Sequence, residues 1–368
     1  MNKKPKMFFV GGFLGAGKTT AIRSLTELFA KRGIKTGAIT NDQAAGLVDT
    51  AFLDGEGLIT QEVAGSCFCC NFNGLVQAID HIMTTADPDV ILAEPVGSCT
   101  DIVATVILPL QDLLKNKVQV RAYSVLVEPM RWKEIMEEGT KAPWSMKYLF
   151  DKQVKEADFV VLTKTDTIGP PALQKIRSDF VLRYGQARFL PISSREGIGL
   201  DAWMEAVLST TPGNRWLKEI DYEKYAQAEA EMGWLNAEAD VIFPGPVDGR
   251  DIAVRMVRGM ADGITGSSAQ IGHLKLLAVG ETGGVKAGIS AAGQGGQLDG
   301  SFSGPVSRLH VTLNARATVS PGDLAEIVTS LMMDLKQGDA AQTDILYLNA
   351  FKPAPPNPTY RYSGEDRP

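Results

Sequence analysis

Histidine is almost missing from this chain. There are three in 368 residues: His81, His273 and His310. That scarcity excludes a histidine-rich metal store, and each isolated imidazole reads as structural. Cysteine is scarce too, at four residues, which excludes a disulfide-built scaffold. No apolar run approaches the roughly 20 residues of a membrane span, so no membrane partner is expected. Basic residues are not in excess: 37 Lys and Arg stand against 43 Asp and Glu, a net charge of −6. Nucleic acid is therefore not expected as a partner. The opening "MNKKPKMFFVGGFLGAG" has too short an apolar stretch for a secretory leader. It reads as a strand feeding a glycine loop, and a cytoplasmic location is expected.

The composition that remains is that of a globular chain, 44% hydrophobic and 22% charged. Its length suggests two domains, each able to bury a core. Over the first two hundred residues, short apolar runs at 6–11, 34–40, 57–63, 89–94, 117–127, 158–163 and 188–193 alternate with helical patterns. The strands are apolar without strict alternation, as in a sheet buried on both faces. This predicts an α/β domain over 1–212, with a doubly wound, mostly parallel sheet. After "TPGNRW" the order changes. A strand near 232–243, a helix 249–264, strands 270–279, 284–292 and 306–319, a helix 321–336 and a strand 343–349 predict a smaller α+β domain over 213–350. That order resembles a ferredoxin-like sandwich with an extra strand. Nine glycines between 280 and 304 suggest a mobile loop or loose hairpin outside the core. The proline-rich stretch 351–368 reads as a disordered tail. One face of strand 306–319, with the glycine-rich segment, suggests a docking surface or a stabilising cover.

"GGFLGAGKTT" carries Gly12-x-x-x-x-Gly17-Lys18-Thr19 after an apolar strand and before a helix, the context that defines a P-loop. Phosphate would be cradled by Gly12, Gly15, Ala16, Gly17 and Thr20. Lys18 would reach the outer phosphates, and the Thr19 hydroxyl would ligate Mg²⁺. "VVLTKTD" ends a later strand with Thr163, Lys164 and Asp166. A carboxylate there can accept both hydrogen bonds from the N1–H and N2–H₂ edge of guanine. "PISSREG" adds Ser193, Ser194 and Arg195 as a second base-contacting loop. GTP and GDP are the expected nucleotides.

"GSCFCCNFNG" places Cys67, Cys69 and Cys70 within four positions, flanked by Gly65 and Gly74. Thiolates favour soft or borderline metals. Zn²⁺ or Co²⁺ is expected first, with Ni²⁺ or iron also compatible. Cys99, the remaining thiol, is expected either to complete this site or to pack beneath the loop.

Together "GAGKTT", "GSCFCC", "ILAEPVG" and "TKTD", in this order over residues 6 to about 210, resemble the CobW-type metal-chaperone GTPases. These are relatives of the nickel-insertion GTPases and of the chaperones of B12-dependent mutases. The resemblance implies a P-loop GTPase whose hydrolysis is coupled to metal delivery. It assigns Asp42 in "TNDQ" to switch I near Mg²⁺, Glu94 to the Walker B acid and Gly97 to a γ-phosphate contact. Lys18, Asp42 and Glu94 would form the hydrolytic set. The resembling motif begins with asparagine where this chain has Thr163, which implies weaker guanine contacts. The expected partner is a client metalloenzyme or cofactor-assembly protein, and a homodimer is compatible. The competing reading is an iron–sulfur or redox carrier clamped by nucleotide, or a chaperone of a corrinoid enzyme.

Overall fold

The computed structural model describes residues 4–362 except 44–47, 56–57, 138, 141, 186, 214, 267–268 and 291–296. Two compact units emerge. The first comprises residues 1–43, 53–228 and 355–368; the second comprises 44–52 and 229–354.

The first unit is built on a parallel sheet. Its strands are β1 (Lys6–Gly12), β2 (Thr36–Asn41), β3 (Ile59–Val63), β4 (Val90–Glu94), β5 (Gln119–Val120), β6 (Ser124–Val127), β7 (Phe159–Leu162) and β8 (Arg188–Pro191). They run in the order β3-β2-β4-β1-β6-β7-β8, with β5 paired to β1. The connecting helices are α1 (Lys18–Lys31), α2 (Val48–Gly55), α3 (Phe72–Ala86), α4 (Leu108–Leu113), α5 (Pro129–Met136), α6 (Trp144–Glu156), α7 (Pro170–Tyr184), α8 (Leu200–Ser209) and α9 (Tyr222–Ala230). The sequence pattern predicts one strand at 117–127; two short strands stand there, separated at 121–123.

Side chains of β1 serve both faces because period-two alternation points Phe8 and Val10 one way and Met7 and Phe9 the other. Phe8 and Val10 join a core with Ile22 and Leu25 of α1 and Trp203 of α8. Phe9 meets Phe68 edge-on, with ring centroids 6.4 Å apart. The strand order matters for function. The chain moves outward from β1 to one side for β4, β2 and β3 and to the other for β6, so the ligand edge of the sheet opens at β1.

In the second unit, β9 (Gly233–Val247), β10 (Ile271–Gly280), β11 (Gly283–Ile289), β12 (Gln297–Phe302), β13 (Val306–Ala317) and β14 (Gln342–Phe351) form an antiparallel sheet. Its order is β12-β11-β10-β13-β9-β14. Helices α10 (Gly249–Thr265) and α11 (Pro321–Gly338) supply Ile252, Met256, Met260, Leu324 and Val328 to its core. Leaving out β11 and β12, the order β14-β9-β13-β10 is the split βαβ arrangement expected for a ferredoxin-like domain. The glycine-rich segment contributes the β11–β12 hairpin, one of the two expected forms, but it departs from expectation in joining the core, where Val285 and Ala287 are fully buried. Residues 291–296 lie outside the described residues. Strand β13 is central in the sheet, with Ser307, Arg308 and His310 exposed near its start. Its second face buries Thr312, Asn314 and Arg316, the last stacked 4.1 Å over Trp234.

Residues 44–52, which follow the expected switch I aspartate, group with the second unit. Asp49 pairs there with Lys275 and, at 3.0 Å, with Lys286. The Val48 amide donates to Asn314 at 2.8 Å. The tail expectation also needs correcting. Phe351 ends β14, and residues 355–362 return to the first unit and are hydrogen-bonded there. Residues 363–368 lie outside the described residues.

Candidate functional site

The P-loop turns on three glycines with positive φ: Gly12 at 132°, Gly15 at 77° and Gly17 at 84°. A Cβ on Gly12 would stand 2.3 Å from the Leu126 carbonyl oxygen, so only glycine lets β1 pass β6 there. Gly17 immediately precedes α1, so the helix N-terminus and its amides face the loop. Lys18 is buried; its ammonium donates to the Gly12 carbonyl at 3.0 Å and lies 3.9 Å from Glu94. The Thr19 hydroxyl donates to Glu94 at 3.0 Å. Strands β1 and β4 are neighbours, and this pairing brings a lysine, a hydroxyl and a carboxylate together from positions 75 residues apart. The hydroxyl and carboxylate oxygens are hard donors and fit Mg²⁺. Asp42 is buried at the end of β2, and its carboxylate accepts from the Gln43 amide at 2.7 Å. Thr20 follows in the first turn of α1. Gly97 sits hard against this loop: a Cβ there would lie 3.1 Å from the Lys18 ammonium and 2.7 Å from Leu14.

The base-recognition residues divide. Asp166 accepts from the Ser193 hydroxyl at 2.6 Å, which joins the two expected loops. Lys164 adopts a left-handed conformation, φ 51°, and donates to Gly15 at 3.2 Å; burial lowers its pKa. Thr163 is turned the other way. Its buried hydroxyl bonds to the Ala16 carbonyl at 2.9 Å and to Val127 at 3.2 Å. It ties the P-loop to the sheet. Ser194 is half-buried and Arg195 is exposed beside them.

The cysteine loop leaves β3 at the same edge. Cys67 Sγ lies 2.9 Å from Cys69 and 3.3 Å from Cys70, and those two stand 3.8 Å apart. A turn closes them inward, with the Cys70 and Asn71 amides both donating to the Cys67 carbonyl. Asn71 then caps α3 by accepting from Gly74. Cys99 stands outside this compact trio, near enough for its thiol to influence Cys67 and Cys69. The electrostatics follow from sharing protons. Hydrogen bonding with Cys69 and the other neighbouring sulfurs holds the Cys67 thiol well below the usual cysteine value, against its burial. The contact with Cys67, together with burial, pushes Cys69 well up and Cys70 up to about 11. Sulfurs gathered in this way are a soft donor set.

Sequence reasoning missed the residues that hold this loop. Asn41, at the end of β2, donates to the Val63 carbonyl at 2.7 Å and to Ser66 at 2.8 Å. It also accepts from the Phe68 amide at 2.8 Å. Its place inside "TNDQ", one residue before Asp42, was the available signal. Gln153 of α6 donates to the carbonyls of Gly97 and Cys99 at 2.9 and 2.8 Å. Glu156, fully buried, accepts from the amides of Ile102 and Val103; burial raises its pKa to about 8. Nothing local in α6 marks either residue.

Residues 6–187 match the nucleotide-binding domain described as CobW/HypB/UreG. The chain is 28% identical over 175 residues to the zinc-regulated GTPase metalloprotein activator 1 of Schizosaccharomyces pombe. That alignment covers 45% of this chain and 40% of that protein, so the chain spans less than half of the curated relative's length. Among solved structures, the hydrogenase maturation factor HypB from Archaeoglobus fulgidus is 18% identical, with a TM-score of 0.39, over 55% of this chain and 87% of that one. Zn(II)-bound YjiA GTPase from E. coli is 16% identical, with a TM-score of 0.36, over 90% of this chain and 99% of that one. No helix among the described residues is long and apolar enough to cross a membrane.

Proposed function

Because residues 6–187 belong to the CobW/HypB/UreG nucleotide-binding domains, we propose that this chain is a GTP-hydrolysing metallochaperone. Its nucleotide state would set how tightly a thiolate site holds a transition metal. One observation carries this reading. The segment that follows Glu94 at the end of β4 serves both sites, with Gly97 against Lys18 and the Cys99 thiol near enough to influence Cys67 and Cys69. A change at the terminal phosphate therefore reaches a thiol within two residues.

The roles follow from the geometry. Lys18 and the α1 N-terminus would neutralise the phosphates, and Lys18 would exchange its Gly12 carbonyl for a phosphate oxygen. Thr19 and Glu94, with Asp42 at the end of β2, the strand paired with β4, would hold Mg²⁺, which would supply charge neutralisation on the phosphates. Asp166, oriented by Ser193, would select guanine. Gly97 would offer its N–H to the γ-phosphate. The cargo would sit on Cys67, Cys69 and Cys70, with Cys99 as the fourth sulfur. Zn²⁺ is the first candidate, Co²⁺ the second. A client metalloprotein would be the recipient.

The test is a titration of metal-free protein with Zn²⁺ against a chromogenic chelator. It is run with a non-hydrolysable GTP analogue and with GDP, for wild type, Cys99→Ser and Cys69→Ser. Affinity that differs at least tenfold between nucleotide states, and is lost in Cys69→Ser, supports the coupling. Equal affinity in both states overturns it. Charge-transfer bands near 400 nm in anaerobic protein would instead identify an iron–sulfur carrier.

A further inference from the structure

Three of the four thiols are closed off: Cys67, Cys69 and Cys99 are each at most 4% exposed, and only Cys70 is half-buried. Metal must enter and leave on the Cys70 side. That side is covered by a strap that the sequence reads as structureless. The Asn357 amide donates to Cys70 Sγ at 3.2 Å, and the Thr359 amide donates to the Cys69 carbonyl at 2.8 Å. The Thr359 hydroxyl donates to the Cys70 carbonyl at 3.3 Å. Tyr360 packs edge-on against Phe72, with centroids 5.0 Å apart. Pro355, Pro356 and Pro358 stiffen the strap, which lowers the entropy lost when it docks.

Beyond the cysteines the strap is latched. Arg361 donates through Nε to Asp101 at 2.8 Å and through its other nitrogen to the Leu217 carbonyl at 2.9 Å. The Tyr222 hydroxyl donates to the same Asp101 oxygen at 2.7 Å. Asp101 is fully buried with φ of 62°, a conformation that non-glycine residues adopt at a cost, and its other oxygen, Oδ1, has no hydrogen-bond partner. It lies two residues after Cys99 and four after Gly97.

Resting on the metallochaperone reading, we propose that residues 355–362 are a gate over the thiolate site, latched by Arg361 on Asp101 and released through the Gly97–Asp101 loop when the terminal phosphate changes. The loop that would contact the γ-phosphate also carries a thiol and the strap's anchor. One displacement therefore loosens a ligand and uncovers the exit together. Release by ligand exchange needs this, because a recipient's donor atom must reach the metal before all the old bonds break.

The experiment uses the full chain, the chain ended after Ala354, Arg361→Ala and Arg361→Lys. Each is first checked for wild-type GDP binding. In metal-free protein, reaction with Ellman's reagent should be about tenfold faster or more in the shortened chain and in Arg361→Ala, the scale of losing one charge-assisted hydrogen bond. Arg361→Lys should recover part of the protection. In Zn²⁺-loaded protein, transfer to a chromogenic chelator should differ between GTP-analogue and GDP states in wild type. It should be fast and alike in both states in the two unlatched variants. Thiol reactivity and transfer rates equal to wild type in both variants would overturn the gate. Wild type that binds no Zn²⁺ would sink the metallochaperone reading, while the thiol kinetics would still decide whether the strap covers the cysteines.

Discussion

Replacing Thr163 with valine keeps the side-chain shape and removes one proton. That proton is shared between the Ala16 carbonyl at 2.9 Å and the Val127 carbonyl at 3.2 Å, in a site only 3% exposed. Val127 still receives the Thr163 amide at 2.8 Å, so its carbonyl stays satisfied. Ala16 loses the bond that ties the P-loop to β7. A buried carbonyl left short of a donor costs about 1–2 kcal/mol. For a domain of this size that lowers the melting temperature by roughly 2–4 °C per kcal/mol. Part of the same loss should appear in binding, because the loop that cradles phosphate is less well held. The ceiling is about thirtyfold, since 1.4 kcal/mol is one decade. The distinguishing result is selectivity. Fluorescent GDP and IDP, whose hypoxanthine lacks the 2-amino group, should weaken equally in Thr163→Val. In Asp166→Asn, by contrast, GDP should lose its advantage over IDP. A changed GDP-to-IDP ratio in Thr163→Val would place the residue at the base. Unchanged stability and affinity would mean the tether carries nothing.

Lys18→Ala should cut GTP hydrolysis at least a hundredfold with an unchanged circular dichroism spectrum; turnover within a few-fold of wild type would exclude the P-loop assignment. Asn41→Ala removes three hydrogen bonds that pin the cysteine loop and should weaken Zn²⁺ binding about tenfold or more in chelator competition, at roughly 1.4 kcal/mol per decade. Unaltered affinity would show that the loop holds itself. Glu156 keeps its proton up to about pH 8 in the fold, against an ordinary value of 4.5. Its contribution is thus complete below pH 4.5 and is lost as the pH rises through 8. Glu156→Gln should therefore flatten the fall in denaturation midpoint between pH 5 and 8.5; a slope as steep as wild type would assign the effect elsewhere.

The parts legible in the sequence were those whose chemistry is local. Gly12 to Thr19 needs only a strand before it and a helix after it. Three cysteines in four positions declare themselves wherever the loop goes. The parallel sheet was legible because apolar runs separated by helical stretches leave few other packings. What escaped depended on side-chain direction or on distant partners. Thr163 sits in a recognisable motif, but its hydroxyl turns toward Ala16, and only the approach of β7 to the P-loop decides that. Arg361 and Asp101 are 260 positions apart. A proline-rich stretch with little apolar surface reads as disorder, since the hydrogen bonds that order it are made by its backbone to Cys69, Cys70 and Ala104. The core role of the β11–β12 hairpin was hidden because glycines outnumber the buried residues, Val285, Ala287 and Ile289, that anchor it.

The threading of the chain sets a timetable for its birth. A ribosome delivers the P-loop, Asp42, Glu94 and all four cysteines before any of the second sheet exists. Residues 355–362 follow that whole sheet. For the time needed to synthesise more than two hundred residues after Cys99, tens of seconds at 5–20 residues per second, the nascent thiols have no strap above them. Any metal, oxidant or holdase present in that interval meets the cysteines bare. Translation that stopped before Pro355 would release a product carrying every motif of the nucleotide site and an open sulfur cluster.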